Sequence, residues 1–139
     1  EAALRAADLG ATALHDPTEG GLSAGLHELA EASGLALRVD GEAVLWFEPG
    51  RAVCAALGAD PWGVLASGTL LAAFAADRAD HACATLAGEG YAVRAIARAL
   101  RGAGVHRKDG SPLPRYERDE ISRVLGAPAP DLGVASPVP

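Results

Sequence analysis

Aromatic residues are scarce: two each of Trp, Tyr and Phe make up 4% of 139 residues, and methionine is absent. Half of the residues are nonetheless hydrophobic, so alanine, leucine and valine must build the core. Lysine occurs once, at Lys108, and the other eleven basic residues are scattered arginines. With a net charge of −6 the chain lacks the basic face that a nucleic-acid binder needs, so no nucleic-acid partner is expected. Cys54 and Cys83 are the only cysteines. Their spacing gives no zinc signature and little sign of a disulfide framework, and no metal site is read from the sequence. Buried free thiols and a cytoplasmic location fit this usage. Long hydrophobic runs are missing too. The longest weakly polar stretch, residues 64–76, is short of the ~20 residues a spanning helix requires, and no signal peptide stands out. No membrane partner is expected.

What is present is a single domain's length of chain, enough for a real core, and one unusual stretch: His15-Asp16-Pro17-Thr18-Glu19-Gly20-Gly21-Leu22. Asp16 as N-cap, Pro17 at the first helical position and Glu19 at the third would form a capping box. Gly20-Gly21 is not explained by that. Each glycine in a first turn costs roughly 1 kcal/mol against alanine, whereas a backbone that something approaches closely benefits from the missing Cβ. A strand entering such a helix start also points free N–H groups outward, which suits phosphate. Both readings stand on the residues alone. If a ligand sits there, Gly21→Val is expected to abolish binding while leaving the fold nearly intact.

The same residues carry a resemblance. HDPTEGGL and the following Gly25-Leu26-His27-Glu28-Leu29-Ala30-Glu31-Ala32-Ser33-Gly34 resemble the opening of the C-terminal domain of the AIR synthase-related family. This family includes aminoimidazole ribonucleotide synthetase, selenophosphate synthetase and HypE. Residues 56–61 with Leu65-Ala66-Ser67-Gly68-Thr69-Leu70 are similar to its middle segment, and residues 112–121 to the closing segment of its uncharacterised members. The likeness covers roughly residues 1–125, with three motifs in order. Its wording is nearest to the HypE branch, which ends in a cysteine that carries a carbamoyl group. This sequence ends Ala135-Ser136-Pro137-Val138-Pro139, a departure from that chemistry.

Taken in order, the pattern predicts a helix over 2–9, a strand over 11–15, and a helix to Ser33 capped by Gly34. In that helix Leu22, Leu26, Leu29 and Ala30 face inward, and His27, Glu28 and Glu31 outward. A strand at 35–40 follows, then a helix opened by Glu48-Pro49 and running to Leu57. A loop over 58–68 with one helical turn near Trp62, a buried strand at 69–75 and a helix at 77–87 come next. A strand at 91–97, a hairpin over 102–115 turning at Lys108-Asp109-Gly110, and a short helix at 119–125 complete the domain. Residues 1–126 are read as this domain. Residues 127–139, with four of the nine prolines, are read as a disordered tail. Spacing alone allows α/β or α+β. The hairpin and short connections favour α+β, and the resemblance implies the same: a mixed β-sheet covered by helices, with partial ferredoxin-like topology.

The candidate substrate- or phosphate-binding residues are His15, Asp16, Thr18, Glu19, Gly20, Gly21, Ser67 and Gly68. His15 could shuttle a proton or orient a substrate, or simply end a strand. Asp16 and Glu19 could hold a cation or cap a helix, and the hydroxyl of Ser67 could reach a ligand or sit in a turn. His27, His81 and His106 read as surface residues. Trp46, Phe47 and Trp62 read as core by default, or as a patch for a partner domain.

The resemblance implies ATP and magnesium, bound mainly by an N-terminal domain that this sequence lacks, and activation of an amide or carbamoyl oxygen by phosphorylation. The segment from His15 to Gly21 would then face the cleft between the two domains. The chain, which begins without methionine, is expected to be a piece of a longer protein, inactive alone and homodimeric by analogy. The alternative is a non-catalytic binding or dimerisation module that keeps the fold.

Overall fold

The computed structural model describes residues 1–116 and 118–126; the expected tail at 127–139 lies outside them. The elements run α1 Ala2–Asp8, β1 Ala13–His15, α2 Gly21–Ser33, β2 Ala36–Val39, α3 Glu48–Leu57, β3 Leu71–Ala73, α4 Ala76–Gly88, β4 Ala97–Leu100, β5 Val105–Arg107 and α5 Glu120–Leu125. Short 3₁₀ turns at Gly41–Ala43 and Pro61–Gly63 punctuate the loops.

The strands form two sheets. β1 pairs antiparallel with β3, while β2 lies between β4, antiparallel, and β5, parallel. This is the expected α+β class with a mixed sheet. The element order β1–α2–β2 and β3–α4–β4 repeats a β–α–β succession as a ferredoxin-like chain does, but the likeness is confined to that order, because β1 and β3 form one sheet while β2 and β4 lie in the other.

α2 organises the core. Its buried Leu22, Leu26 and Ala30 meet Val39, Leu71, Val105 and Leu113, with Trp46 and Trp62 packed edge to face at 5.1 Å beside them. The inward stripe read from the sequence is therefore the core stripe. Its outward face is not plain solvent. The hydroxyl of buried Ser23 donates to the Pro114 carbonyl, His27 Nε2 donates to the Leu113 carbonyl at 3.1 Å, and Glu31 pairs with Arg115. Three residues one turn apart thus hold segment 113–115 against the helix. His27 is half-buried rather than a surface residue.

Other expectations are corrected. Residues 91–96 are not a strand, and pairing begins at Ala97. The reason lies in β2, which ends at Val39 before the turn at Gly41–Ala43, so that among the described residues no strand lies opposite residues 91–95. The strand expected at 69–75 shortens to Leu71–Ala73, because β1, its only partner among the described residues, spans three residues; Leu71 is buried but Ala72 is exposed. The expected hairpin is small. Arg107 N donates to Ser111 O at 2.7 Å and Leu113 N to Val105 O at 2.9 Å around the Asp109-Gly110 turn. Cys54 is buried and Cys83 half-buried, both free thiols. Among the described residues no helix is long and apolar enough to cross a membrane.

Candidate functional site

The motif does not form a capping box. Thr18 N donates to Asp16 O at 2.9 Å and the Thr18 hydroxyl to Asp16 Oδ1 at 2.7 Å, so residues 16–18 close a local turn. α2 starts later, at Gly21, with Gly20 as its N-cap and no side-chain cap. The cause is backbone conformation: Gly20 and Gly21 have φ of +71° and +69°, left-handed values that no right-handed helix started at Pro17 could contain.

Gly21 is also hemmed in. A Cβ there would lie 2.6 Å from the Val64 carbonyl oxygen and 2.7 Å from that of Trp62. The close approach inferred for the glycine pair is thus made at Gly21 by the chain's own 62–64 backbone. The expectation that Gly21→Val would leave the fold intact is overturned, because that side chain has no room. Gly25, in the middle of α2, has a parallel explanation. A Cβ would meet Pro17 Cβ at 2.5 Å and His15 Cδ2 at 3.2 Å, so the missing side chain seats the motif on the helix.

Two turns come together here. Ala66 N donates to Thr18 O at 3.1 Å, and the β1–β3 ladder sets His15 opposite Leu71. Ser67 and Gly68 therefore sit beside the 16–18 turn. Ser67, Gly68, Asp16 and Glu19 are exposed, and nothing stands within 4 Å of where a Gly68 Cβ would be. The eight candidate residues lie on these two turns or directly beside them, His15 at the end of β1 and Gly20 and Gly21 at the start of α2.

His15 Nε2 lies 2.6 Å from Glu28 Oε2. A carboxylate can only accept, so the imidazole donates through Nε2, and among the described residues Nδ1 has no hydrogen-bond partner. Glu28 was read from the sequence as an outward helix residue. Thirteen positions separate the pair, and only the fold of β1 back onto α2 brings them together.

Behind the turns lies a second network missed in the sequence. Asp60 accepts from Trp62 N at 3.1 Å and from the Tyr116 hydroxyl at 2.5 Å, while Asp60 N donates to Glu120 Oε2 at 2.9 Å. Arg123 grips Glu120 at 2.6 Å and the Gly58 carbonyl at 2.7 Å. The Arg123 guanidinium first, and the Asp60 N–H second, hold the buried Glu120 carboxyl down at about 2. Burial, reinforced by the bond to Asp60, pushes the Tyr116 phenol well above its ordinary value. This network fixes the 58–63 turn whose end presses on Gly21.

Among the described residues no group of three or more His, Cys, Asp or Glu is placed to hold a metal ion. The polar groups at the paired turns are the Thr18 and Ser67 hydroxyls, backbone groups and the Asp16 and Glu19 carboxylates, a mixture of donors and acceptors that can hydrogen-bond an amide.

The chain is similar to known proteins over the stretch that carries these turns. The family described as AIR synthase related protein, C-terminal domain, matches residues 1–109. The chain is 44% identical over 68 residues to carbamoyl dehydratase HypE of Azotobacter vinelandii, a match covering 49% of this chain and 20% of that protein. It is 38% identical over 73 residues to carbamoyl dehydratase HypE of Rhizobium leguminosarum bv. viciae, covering 52% and 21%. The matches span about a fifth of the length of these relatives. Among solved structures, HypE of E. coli superposes with a TM-score of 0.74 at 26% identity, over 87% of this chain and 41% of that one. A HypE structure in complex with ATP gives 0.68 at 27% identity, over 81% and 38%. With the matched residues covering both the motif turn and the helices that seat it, this chain belongs to the AIR synthase-related family, as its C-terminal domain.

Proposed function

We propose that this chain is the substrate-side domain of an ATP-dependent enzyme that activates an amide or carbamoyl oxygen by phosphorylation, and that it is inactive without an N-terminal ATP-binding domain. The observation that carries this reading is the joining of the 15–21 and 66–69 turns through Thr18 and Ala66, which collects Asp16, Glu19, Ser67 and the Glu28-oriented His15 at one exposed edge. Named relatives are carbamoyl dehydratases, and one solved relative is an ATP complex. Dehydration of a carbamoyl group is accordingly the first reaction to test.

In this reading the nucleotide supplies a phosphoryl group that turns the amide oxygen into a leaving group. The residues here bind and orient the substrate. Ser67 and the backbone of the paired turns hydrogen-bond the amide, and His15, acting through Nδ1 with Glu28 fixing its ring, accepts a proton from the amide nitrogen. Magnesium, which the family resemblance implies together with ATP, is assigned in this proposal mainly to the N-terminal domain. The homodimeric state and cytoplasmic location are part of the same proposal.

A second reading, an interaction or dimerisation module, is favoured by one observation: Leu45, Phe47, Val53 and Leu57 are all exposed around α3, Phe47 to 75%. Titration of this chain and of the full-length protein with ATP and magnesium separates the two. The enzyme reading expects nucleotide binding by the full-length protein alone, and loss of turnover with unchanged ATP affinity in its Ser67→Ala and Asp16→Asn variants. Silence from both proteins would overturn it in favour of the interaction module.

A further inference from the structure

We infer that the outer face of the β4–β2–β5 sheet carries a separate cationic site for a small polyanion of the diphosphate class. In the sheet register Arg38 stands opposite Arg98 on β4 and opposite His106 on β5. Residues in register share a face, and strands lie about 4.8 Å apart. Three basic side chains therefore form a row across the sheet. Their neighbours along the strands, Val39 and Val105, are buried on the other face.

The row is unneutralised. Arg5, Arg51, Lys108, Arg115 and Arg123 each pair with a carboxylate, but among the described residues neither Arg38 nor Arg98 has one within ion-pair distance. This occurs in a chain with 18 acidic and 12 basic residues. Like charges placed directly opposite each other oppose sheet formation, and a bound anion would remove that repulsion.

Beside the row is a hollow of about 330 Å³, lined by Arg38, Arg101, His106, Leu100, Gly102 and Gly110 among others. This lies at the lower end of the volume range of small-ligand sites, roughly 300–1,000 Å³. Two guanidinium forks, Arg38 and Arg101, border it, and such forks pair bidentately with phosphoryl oxygens. His106 Nε2 is already bonded to the Ala103 carbonyl at 3.3 Å, which leaves Nδ1 as its free ring nitrogen. Apart from the His106 imidazole no aromatic ring lines the hollow, and its two guanidinium forks favour the phosphoryl groups over a base. Its small volume, half open to solvent, matches a small anion. The site shares no residue with the turns at 15–21 and 66–69, and it stands whether or not the catalytic reading does.

The test is calorimetric titration of the intact protein with inorganic pyrophosphate at low salt, comparing wild type with Arg38→Gln/Arg101→Gln. The expected result is a salt-sensitive binding event that is about tenfold weaker in the double variant. A third variant, Arg98→Gln, removes one of the two opposed charges and is expected to melt no lower than wild type. Equal affinity in wild type and double variant, or no binding by wild type, would overturn the site. Tighter binding of an oligoglutamate peptide than of pyrophosphate, abolished in the double variant, would overturn the assigned occupant and make this face a protein-docking surface.

Discussion

The Tyr116 hydroxyl donates to Asp60 Oδ2 at 2.5 Å, and the same tyrosine's ring fills the space that a Gly63 side chain would need, 2.6 Å from the Cβ position. One residue thus fixes the 60–63 turn by both its polar and its apolar ends. The two contributions are separable. Tyr116→Phe keeps the ring and loses one hydrogen bond, an expected cost of about 1 kcal/mol. Gly63→Ala forces the ring away, and about 2–3 kcal/mol is expected for the overpacking. Urea denaturation of the two variants checks the order; a larger loss for Tyr116→Phe would mean that the hydroxyl, not the packing, holds the turn.

The Glu120 carboxyl gives the protein an acid-side dependence whose sign is fixed. Its folded value of about 2 lies below its ordinary 4.5, so its contribution is fully present above 4.5 and is lost as the pH falls through about 2. In Glu120→Gln that dependence should be absent. Denaturant midpoints of wild type and variant are expected to differ most near neutral pH and to converge toward about pH 2. A gap that stays constant across the range would show that Glu120 contributes by shape rather than charge.

Gly21→Ala is expected to lower stability by about 2–4 kcal/mol, combining a strained left-handed backbone with contact against the Trp62 and Val64 carbonyls. Gly68→Ala shares the positive φ, +85°, but opens onto free space. It should cost only the backbone strain, about 1 kcal/mol. Thermal melts of the pair test whether Gly21 serves packing against the 62–64 segment, as the geometry requires.

Much of this molecule is legible in its residues. The α2 stripe of Leu22, Leu26 and Ala30 follows from helical periodicity, and Glu48-Pro49 and Gly58 bound α3 by their helix-end chemistry. The pairing of the strands is less visible. Residues 91–96 have strand-forming side chains, but whether they join a sheet depends on where β2 stops, which is set at Gly41–Ala43 about fifty positions earlier. Local chemistry also misplaced the start of α2, because Asp16, Pro17 and Glu19 satisfy a capping pattern that the left-handed Gly20 and Gly21 override. Close approach is one of two readings that the glycine pair allows, and the backbone that makes it, at residues 62–64, is some forty positions away. His15 and Glu28 were each visible as residues, and their bond was not.

That bond offers the most direct probe of function. His15 and Glu28 are partly exposed, with side chains 30% and 51% accessible, so their pairing should contribute no more than about 1 kcal/mol to stability. Its value to catalysis would be orientation. Donation from Nε2 to Glu28 fixes the ring and leaves Nδ1 to accept a proton, and Glu28→Gln weakens that hold without removing the His15 side chain. In the full-length protein Glu28→Gln is therefore expected to leave the melting temperature and ATP affinity nearly unchanged while lowering kcat about tenfold or more. His15→Ala should lower kcat further, and the double variant should be no slower than His15→Ala alone, because Glu28 acts only through the ring. Additive losses would show that Glu28 reaches the substrate independently. Unchanged turnover in all three would confine the pair to a structural role and move the chemistry to the partner domain.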